Sequence, residues 1–285
     1  MIPDLFAGLC DDAALFPPSN TPIGEALVAH ARHRSAPYAA LVGPFVISDA
    51  WLGELEPGDL ELSLTLPGGP GSLEPAFARL ASVDGAKPVG LEIAVPAEQS
   101  VSELLSELGR VSALAPDLDV FVEIPRDDRR PGLLSALADT PFAAKFRTGG
   151  VVAKAYPDED ELAAALHSVV EVGVRFKATA GLHHAVRNTD PQTGFEQHGF
   201  LNVLLATRQA LDGARVTELA ETLSERDGAR IARELSDLSE DTITELRATF
   251  RSFGTCSILD PLADLVALQL VPTSVLVRAN EEAPA

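Results

Sequence analysis

Basic and aromatic residues are both scarce in this chain of 285 residues. The 22 Lys and Arg residues face 42 Asp and Glu residues, so the formal net charge is −20 at pH 7, and aromatic residues make up 5% of the sequence. An acidic surface repels the phosphates of nucleic acids and the anionic headgroups of membranes. We therefore predict that neither a nucleic acid nor a membrane is a partner.

Cysteine is also scarce, and long apolar runs are missing from the sequence. The two cysteines, Cys10 and Cys256, are too few for a disulfide framework and are typical of a reducing compartment. No apolar run approaches the ~18 residues that a membrane span requires, and the N-terminal segment lacks the basic start of a signal peptide. These features predict a soluble, cytoplasmic protein.

Lysine is the rarest basic residue, and two of the four lysines, Lys145 and Lys177, lie inside predicted strands. Lysine is almost never fully buried unless it is paired, and burial lowers its pKa. An amine can act as a nucleophile, whereas an arginine side chain cannot. Two interpretations therefore stay open: a pair of reactive amines, or buried ion pairs with Glu92 and Glu123.

Strand and helix signals alternate from the N-terminus to Lys177. The strict apolar–polar alternation of residues 60–66 predicts a strand, and the helical spacing of Leu104 and Leu108 predicts a helix. Alternation of this kind favours parallel βαβ units. Seven strands are predicted by Lys177.

The pattern changes after the seventh strand. Residues 200–253 carry helix signals, and residues 253–258 then resume as a strand. The sequence therefore predicts one α/β domain over residues 1–285, a (β/α)8 TIM barrel with a helical insertion at 200–253 between strands 7 and 8. We expect this insertion either to cover the strand C-termini as a lid or to form a subunit contact in a homo-oligomer.

Side-chain alternation places polar residues on the inward face of the predicted barrel. These residues are Ser63, Thr65, Glu92, Glu123, Lys145, Arg147, Lys177 and Thr179. Barrel interiors are usually filled by branched apolar side chains, so a polar interior near the strand C-termini is typical of an active site. Arg147, with His183 and His184 beyond the next strand, favours an anionic ligand.

Three motifs carry a family resemblance. They are Lys145-Phe-Arg-Thr-Gly-Gly, Lys177-Ala-Thr-Ala-Gly and Phe253-Gly-Thr-Cys-Ser-Ile-Leu. Together they resemble the last three strand motifs of the deoxyribose-phosphate aldolase family of class I aldolases. The resemblance implies that Lys145 forms a Schiff base with a carbonyl substrate and that Lys177 lowers the pKa of Lys145. It also implies that Glu92 takes the role of the family's strand-four aspartate, which aligns with Gly90.

The resemblance further implies an anion site in the last two loops. Backbone N–H groups of Gly181, Gly254, Thr255 and Ser257 would bind a phosphate, assisted by Arg147. Glu92 or Glu123, helped by Thr179, would move the proton, and His183 and His184 would contact the substrate. We thus expect a lyase that acts on a small phosphorylated or carboxylated aldehyde or ketone without a cofactor.

Two other functions fit the same residues. In the first, Glu92, Glu123 and one of His183 or His184 hold a divalent metal that polarises a carbonyl for isomerase or lyase chemistry. In the second, the barrel binds an anionic metabolite without catalysis, and Lys145 is inert in an ion pair. The histidines could equally be a loop pair that bonds to the backbone.

Overall fold

The computed structural model describes residues 1–276. Within this range, eight strands form a closed parallel barrel, and a short antiparallel hairpin lies outside it. The barrel strands are β1 (Cys10–Asp12), β2 (Val42–Ser48), β3 (Leu60–Leu66), β4 (Ala86–Ile93), β5 (Asp119–Glu123), β6 (Ala143–Arg147), β7 (Phe176–Thr179) and β10 (Phe250–Thr255), and the hairpin strands are β8 (Asn188–Thr189) and β9 (Glu196–Gln197). The order around the barrel is β1-β10-β7-β6-β5-β4-β3-β2.

Helices connect most of the barrel strands on the outside. Over residues 1–276 they are α1 (Ile23–Ser35), α2 (Leu73–Leu80), α3 (Val101–Leu114), α4 (Arg130–Leu137), α5 (Glu159–Glu171), α6 (Phe200–Leu211), α7 (Val216–Ser224), α8 (Gly228–Ser236), α9 (Glu240–Thr249) and α10 (Leu259–Ala267). Four of them, α6 to α9, lie between β7 and the eighth barrel strand β10. The predicted (β/α)8 barrel is therefore confirmed.

The hydrophobic core lies between the barrel and its helices. Outward-facing strand residues such as Leu64 and Leu91 are fully buried in one cluster with helix residues such as Leu104 and Leu108. Each such side chain contributes about 1.5–3 kcal/mol on burial. Helix α3 begins at a capping box in which Ser100 and Glu103 bond each other's backbone N–H. Apolar burial thus occupies the outward strand faces and leaves the polar faces to the barrel interior.

The helices α7 and α8 extend this core outside the barrel. Helix α7 packs against α5 and α6, and α8 packs against α6. Their buried residues, such as Leu219, Leu223 and Ile231, belong to the same hydrophobic cluster as the barrel strands. No helix in the described part of the chain is long and apolar enough to cross a bilayer.

A buried histidine anchors the β8–β9 hairpin. His198 is fully buried, and its Nε2 lies 2.8 Å from the carbonyl oxygen of Pro157, which can only accept a hydrogen bond. Nη1 of Arg187 lies 3.4 Å from His198 Nδ1, so Nδ1 is the acceptor. These two roles require the neutral imidazole. Burial and the nearby guanidinium of Arg187 lower the pKa of His198 to about 4.

We expect acid to destabilise the protein through His198. The unfolded chain binds a proton near pH 6.5 and the folded chain only near pH 4, so the free energy of unfolding should fall by about 3 kcal/mol as the pH falls through this window. Urea unfolding as a function of pH measures this slope. His198→Gln, which keeps a donor and an acceptor, should flatten it, whereas His167→Gln on α5 should not; equal slopes in all three proteins would refute the assignment.

Candidate active site

A cavity of about 390 Å³ opens at the C-terminal ends of the barrel strands. Every barrel strand or the loop that follows it contributes to the walls. The polar lining residues are Thr65, Glu92, Glu123, Lys145, Arg147, Thr179, His183 and Cys256, and the apolar or small ones are Ala13, Phe16, Pro17, Val46, Leu66, Pro67, Ala94, Gly150, Val151, Ala180 and Gly254. Active sites of TIM-barrel enzymes lie at this face, and the volume suits a small metabolite.

The helical insertion does not cover this cavity. Within residues 1–276, no residue of α6 to α9 lines it. The lid prediction is therefore wrong, because the apolar faces of these helices are buried against α5 and each other instead of over a polar opening. The alternative, a subunit contact, stays a prediction.

Lys145 projects from the inward face of β6 into a pair of carboxylates. Its Nζ lies 2.8 Å from Glu92 Oε2 and 2.9 Å from Glu123 Oε2. The side chain is 6% exposed and lines the cavity. Lys145 is thus a buried residue whose side chain forms part of the cavity wall.

Lys177 lies beside Lys145 on β7 but is closed off from the cavity. Its Nζ lies 2.5 Å from Asp11 Oδ2 and 2.6 Å from Glu92 Oε1, and 5.2 Å from the centre of the Phe121 ring. The side chain is 1% exposed and is not among the cavity-lining residues. Contact with two carboxylates and an aromatic face stabilises the ammonium form.

These side chains form a charge network of alternating sign across the barrel. Its members, in order of contact, are Asp11, Lys177, Glu92, Lys145, Glu123 and Arg147. Three carboxylates thus balance three cations. Ser252 donates to Asp11 Oδ2 at 2.7 Å and Ser63 donates to Glu92 Oε1 at 2.8 Å. The ion pairs that the sequence suggested with Glu92 and Glu123 are present, and Asp11 adds a third carboxylate.

The structure reverses the expected pKa shift of Lys145. Burial by itself lowers the pKa of this amine, but the carboxylates of Glu92 and Glu123 outweigh burial, and the pKa is raised above its ordinary value. The pKa of Lys177 is also raised, because Asp11 and Glu92 outweigh burial in the same way. The prediction of a lowered pKa for Lys145 is therefore wrong: Glu92 lies between the two ammonium groups and offsets their repulsion, and Glu123 adds a second carboxylate beside Lys145.

Both carboxylates that contact Lys145 are ionised. Burial opposes ionisation of Glu92, yet Lys145 and Lys177 hold its pKa far below the usual range. Burial likewise opposes ionisation of Glu123, but Lys145 and Arg147 lower its pKa to about 2. Of the two, Glu123 is the more accessible, with 21% of its side chain exposed.

Arg147 and Gly254 of the predicted anion site line the cavity, and so does Thr179, which was predicted to assist proton transfer. Arg147 is the most exposed member of the charge network, and its Nε lies 3.0 Å from Glu123 Oε1. Thr179 follows Lys177 by two positions on β7 and therefore faces the same side. These three residues are brought together with Lys145.

Gly181, Thr255 and Ser257 do not line the cavity. Gly181 has a φ of +76°, and a Cβ there would lie 2.9 Å from Gly149 Cα, so glycine permits two loops to pack closely. Thr255 donates to the carbonyl of Ser257 at 2.9 Å, and Ser257 Oγ accepts from the N–H of Asp260 at 3.2 Å. Their hydroxyls thus shape the loop before α10.

The two predicted histidines lie in different places. His183 lines the cavity, and its Nδ1 lies 3.5 Å from Cys256 Sγ. Burial and neighbouring His184 lower the pKa of His183, which favours the neutral ring. His184 lies outside the cavity, where its Nδ1 contacts Asp264 Oδ2 at 3.1 Å. Only His183 is therefore positioned to contact a ligand in the cavity.

The metal-dependent alternative lacks a ligand set. Glu92 and Glu123 already bond the ammonium groups of the charge network. Across residues 1–276, no group of three or more His, Cys, Asp or Glu side chains could hold a metal ion. A site made of Glu92, Glu123 and a histidine is therefore not assembled.

Sequence reasoning missed Asp11 and Cys256 as parts of the site. Asp11 faces inward from the three-residue strand β1, whereas Asp12 faces outward and contacts His30 of α1 at 2.9 Å. A strand of three residues is too short for periodicity to assign a face. Cys256 lies just beyond β10, inside one of the motifs that carry the family resemblance. Its position at the C-terminal end of a predicted strand could have identified it as a site residue.

Comparisons with known proteins give structural likenesses without a family assignment. No family model matches the chain, and no curated protein matches it. A silkworm (Bombyx mori) aldo-keto reductase shares 11% identity over 95% of this chain and 83% of its own, at a TM-score of 0.47. A putative deoxyribose-phosphate aldolase from Toxoplasma gondii shares 14% identity over 93% of this chain and 94% of its own, at a TM-score of 0.43. An archaeal fructose 1,6-bisphosphate aldolase shares 14% identity over 83% of this chain and 94% of its own, at a TM-score of 0.36. The assignment as a (β/α)8 barrel rests on the chain's own strand topology.

Proposed function

We propose that this protein is a lyase of the class I aldolase type, in which Lys145 forms a Schiff base with a small anionic aldehyde or ketone. The observation that carries the proposal is the position of Lys145. Residues 1–276 include all four lysines, and Lys145 is the one that lines the cavity. Lys87 and Lys154 are exposed, and Lys177 is sealed behind Glu92. The resemblance of the three strand motifs supports the same assignment.

The proposed chemistry uses the residues around Lys145 in distinct roles. Lys145 loses one proton and forms a C–N bond to the substrate carbonyl carbon, and the carbonyl oxygen leaves as water. When the adjacent C–C bond breaks, its electron pair moves to the iminium, and the proton of the β-hydroxyl group goes to a base. Glu123, assisted by Thr179, is the more accessible base. The enamine that remains on Lys145 takes up a proton on carbon from the protonated base, and addition of water to the resulting iminium releases the second carbonyl product and Lys145.

Lys177 is a positioning residue in this proposal. Its ammonium group bonds Glu92 Oε1, and Glu92 Oε2 in turn bonds Lys145. Ser63 holds the same carboxylate from β3. Lys177 and Ser63, neither of which lines the cavity, thereby hold Glu92 in place, and Glu92 in turn orients Lys145.

We expect Arg147→Ala to weaken the binding of anionic ligands about 10- to 100-fold, because it removes a charged hydrogen-bond donor from the cavity mouth. The ring centre of Trp51, the single tryptophan, lies 5.1 Å from that of the cavity residue Phe16, so we expect Trp51 fluorescence to change on binding. Glycolaldehyde phosphate and glycolaldehyde are suitable probes. Arg175→Ala, which alters an arginine paired with Asp119 outside the cavity, is the control. Equal losses for both probes would contradict a phosphate contact.

Reductive trapping tests the proposal itself. Borohydride treatment with a panel of small aldehydes and ketones should add the mass of the reduced carbonyl compound, and peptide mapping should place it on Lys145. Lys145→Met should abolish this site, whereas Lys154→Met should leave it intact. Trapping confined to the exposed lysines across the panel would exclude the Schiff-base mechanism.

A non-catalytic barrel that binds an anionic metabolite is the second candidate. This candidate is favoured by the ion pairs of Lys145 and Lys177, because each buried ammonium group already contacts two carboxylates. In that case Trp51 fluorescence would report binding of an anionic carbonyl compound, while Lys145 would trap none of the panel at any pH. The two candidates thus differ in the fate of Lys145 and agree on the cavity.

A further inference from the structure

A groove of about 640 Å³ lies outside the barrel, between α1 and the segment that leads into β3. Within residues 1–276, β2 is the one barrel strand that is not followed by an α-helix, since only a short 3-10 helix, Asp49–Glu54, precedes β3. The side of α1 next to this connection is therefore left open. No residue of the groove lines the cavity at Lys145, so the two are separate.

His30 of α1 lines this groove with one ring nitrogen unpartnered. Its Nδ1 lies 2.9 Å from Asp12 Oδ2, and the two side chains are only 5% and 3% exposed. The carboxylate oxygen accepts, so Nδ1 donates, and in the neutral ring the lone pair lies on Nε2. Over residues 1–276, Nε2 has no hydrogen-bond partner, yet it is not one of the three unpartnered polar atoms that are fully enclosed. Because His30 lines the groove, Nε2 is accessible from there.

The charged residues of the groove leave one carboxylate over. Arg34 pairs with Glu61, and Lys87 pairs with Asp59. Glu56 also lines the groove, is exposed, and forms no ion pair in the part of the chain that the structure describes. The whole chain carries a formal charge of −20. The electrostatic potential at the groove therefore favours a cation over an anion.

The rest of the groove wall is mainly apolar. It consists of Leu27, Val28, Ala31, Pro57 and Leu60, with Gly58. Val28 is 54% exposed, although it lies on the face of α1 that borders the groove. A wall of this kind binds an alkyl chain, because contact removes apolar surface from water on both sides.

We propose that this groove is a binding site for a small alkylammonium ion, whose N–H group donates to His30 Nε2 and whose alkyl chain lies on the apolar wall. Glu56 adds attraction for the positive charge. An anion would instead meet the lone pair of Nε2 and the carboxylate of Glu56. The proposal does not depend on the lyase reaction, because Lys145 and its cavity take no part in it.

Matched ligands test the site in the wild-type protein. Isothermal titration calorimetry at pH 8 compares butylammonium with butyltrimethylammonium, which keeps the charge and the chain but has no N–H donor, and with butanoate, which reverses the charge. Butylammonium should bind about tenfold more tightly than either. It should also shift the Nε2 signal of His30 in protein with ¹⁵N-labelled histidine. No binding of butylammonium, equal binding of the two cations, or tighter binding of butanoate would overturn the proposal.

Two variants locate the bound ion. His30→Asn keeps an N–H donor for Asp12 and removes Nε2, so butylammonium should bind about tenfold more weakly. Glu56→Gln removes an exposed charge and should weaken binding about two- to fivefold. Glu54→Gln, which alters an exposed carboxylate outside the groove, should bind like the wild type.

Circular dichroism checks that each variant is folded. Unchanged affinity in folded His30→Asn, or equal losses in Glu56→Gln and Glu54→Gln, would refute the site. If His30→Asn does not fold, Glu56→Gln and the matched ligands decide the question. Borohydride trapping on Lys145 is a separate readout, so the lyase proposal can fail while the groove binds butylammonium, and the reverse.

Discussion

Imine formation on Lys145 is expected to accelerate about tenfold for each pH unit between pH 7 and pH 10, or about 1,000-fold in total. The reason is that Glu92 and Glu123 raise the pKa of Lys145, so the neutral amine is a minor species that grows tenfold per unit below this pKa. The initial rate of trapping, with borohydride in excess so that imine formation limits it, measures the effect. A plateau near pH 7 or 8 would contradict the raised pKa.

Removing one carboxylate beside Lys145 should shift the pH dependence of the trapping rate to lower pH. Glu123→Gln keeps the shape and deletes one of the two charges that stabilise the ammonium form of Lys145. We expect trapping at pH 8 to become about tenfold faster for each unit by which the pKa of Lys145 falls. Glu61→Gln is the matched control, because Glu61 pairs with Arg34 outside the cavity. Identical profiles for both variants would show that Glu123 does not control the amine.

Lys177→Met should destabilise the protein by about 3–5 kcal/mol. The change leaves Asp11 and Glu92 buried without the ammonium group that both carboxylates contact, and breaking a buried ion pair on one side costs this much. Urea unfolding, followed by circular dichroism, measures the free energy of unfolding. Imine trapping on Lys145 should also decrease, because Glu92 loses the contact that orients it.

A second substitution tests the cause of this loss. Glu92 keeps its contact with Lys145, so Asp11→Asn in the Lys177→Met background removes the carboxylate charge that loses its cation and should recover part of the lost stability. Lys87→Met is the control, since Lys87 forms an exposed pair with Asp59 and should not change stability measurably. Additive losses in the double variant would show that the damage is poor packing and not unpaired charge.

Local physical chemistry in the sequence determined the barrel and its polar interior. Alternation along strands such as Leu60–Leu66 has a period of two, which assigns side chains to a face without any knowledge of distant partners. For the same reason, Glu92, Glu123, Lys145 and Lys177 could be placed on one face, and burial of two scarce lysines identified them as candidates for a site. The helix signals after β7 likewise depend on short-range spacing, and α6 to α9 occur where these signals lie.

Only the tertiary structure decided which charges meet. The three-residue strand β1 is too short for alternation to assign a face to Asp11, and its contact with Lys177 joins residues 166 positions apart. The sign of the pKa shift of Lys145 depends on whether the nearest charge is another ammonium group or a carboxylate, and interposed Glu92 makes it the latter. Periodicity specifies the direction of a side chain, but distances across a closed barrel determine its partners and hence its chemistry.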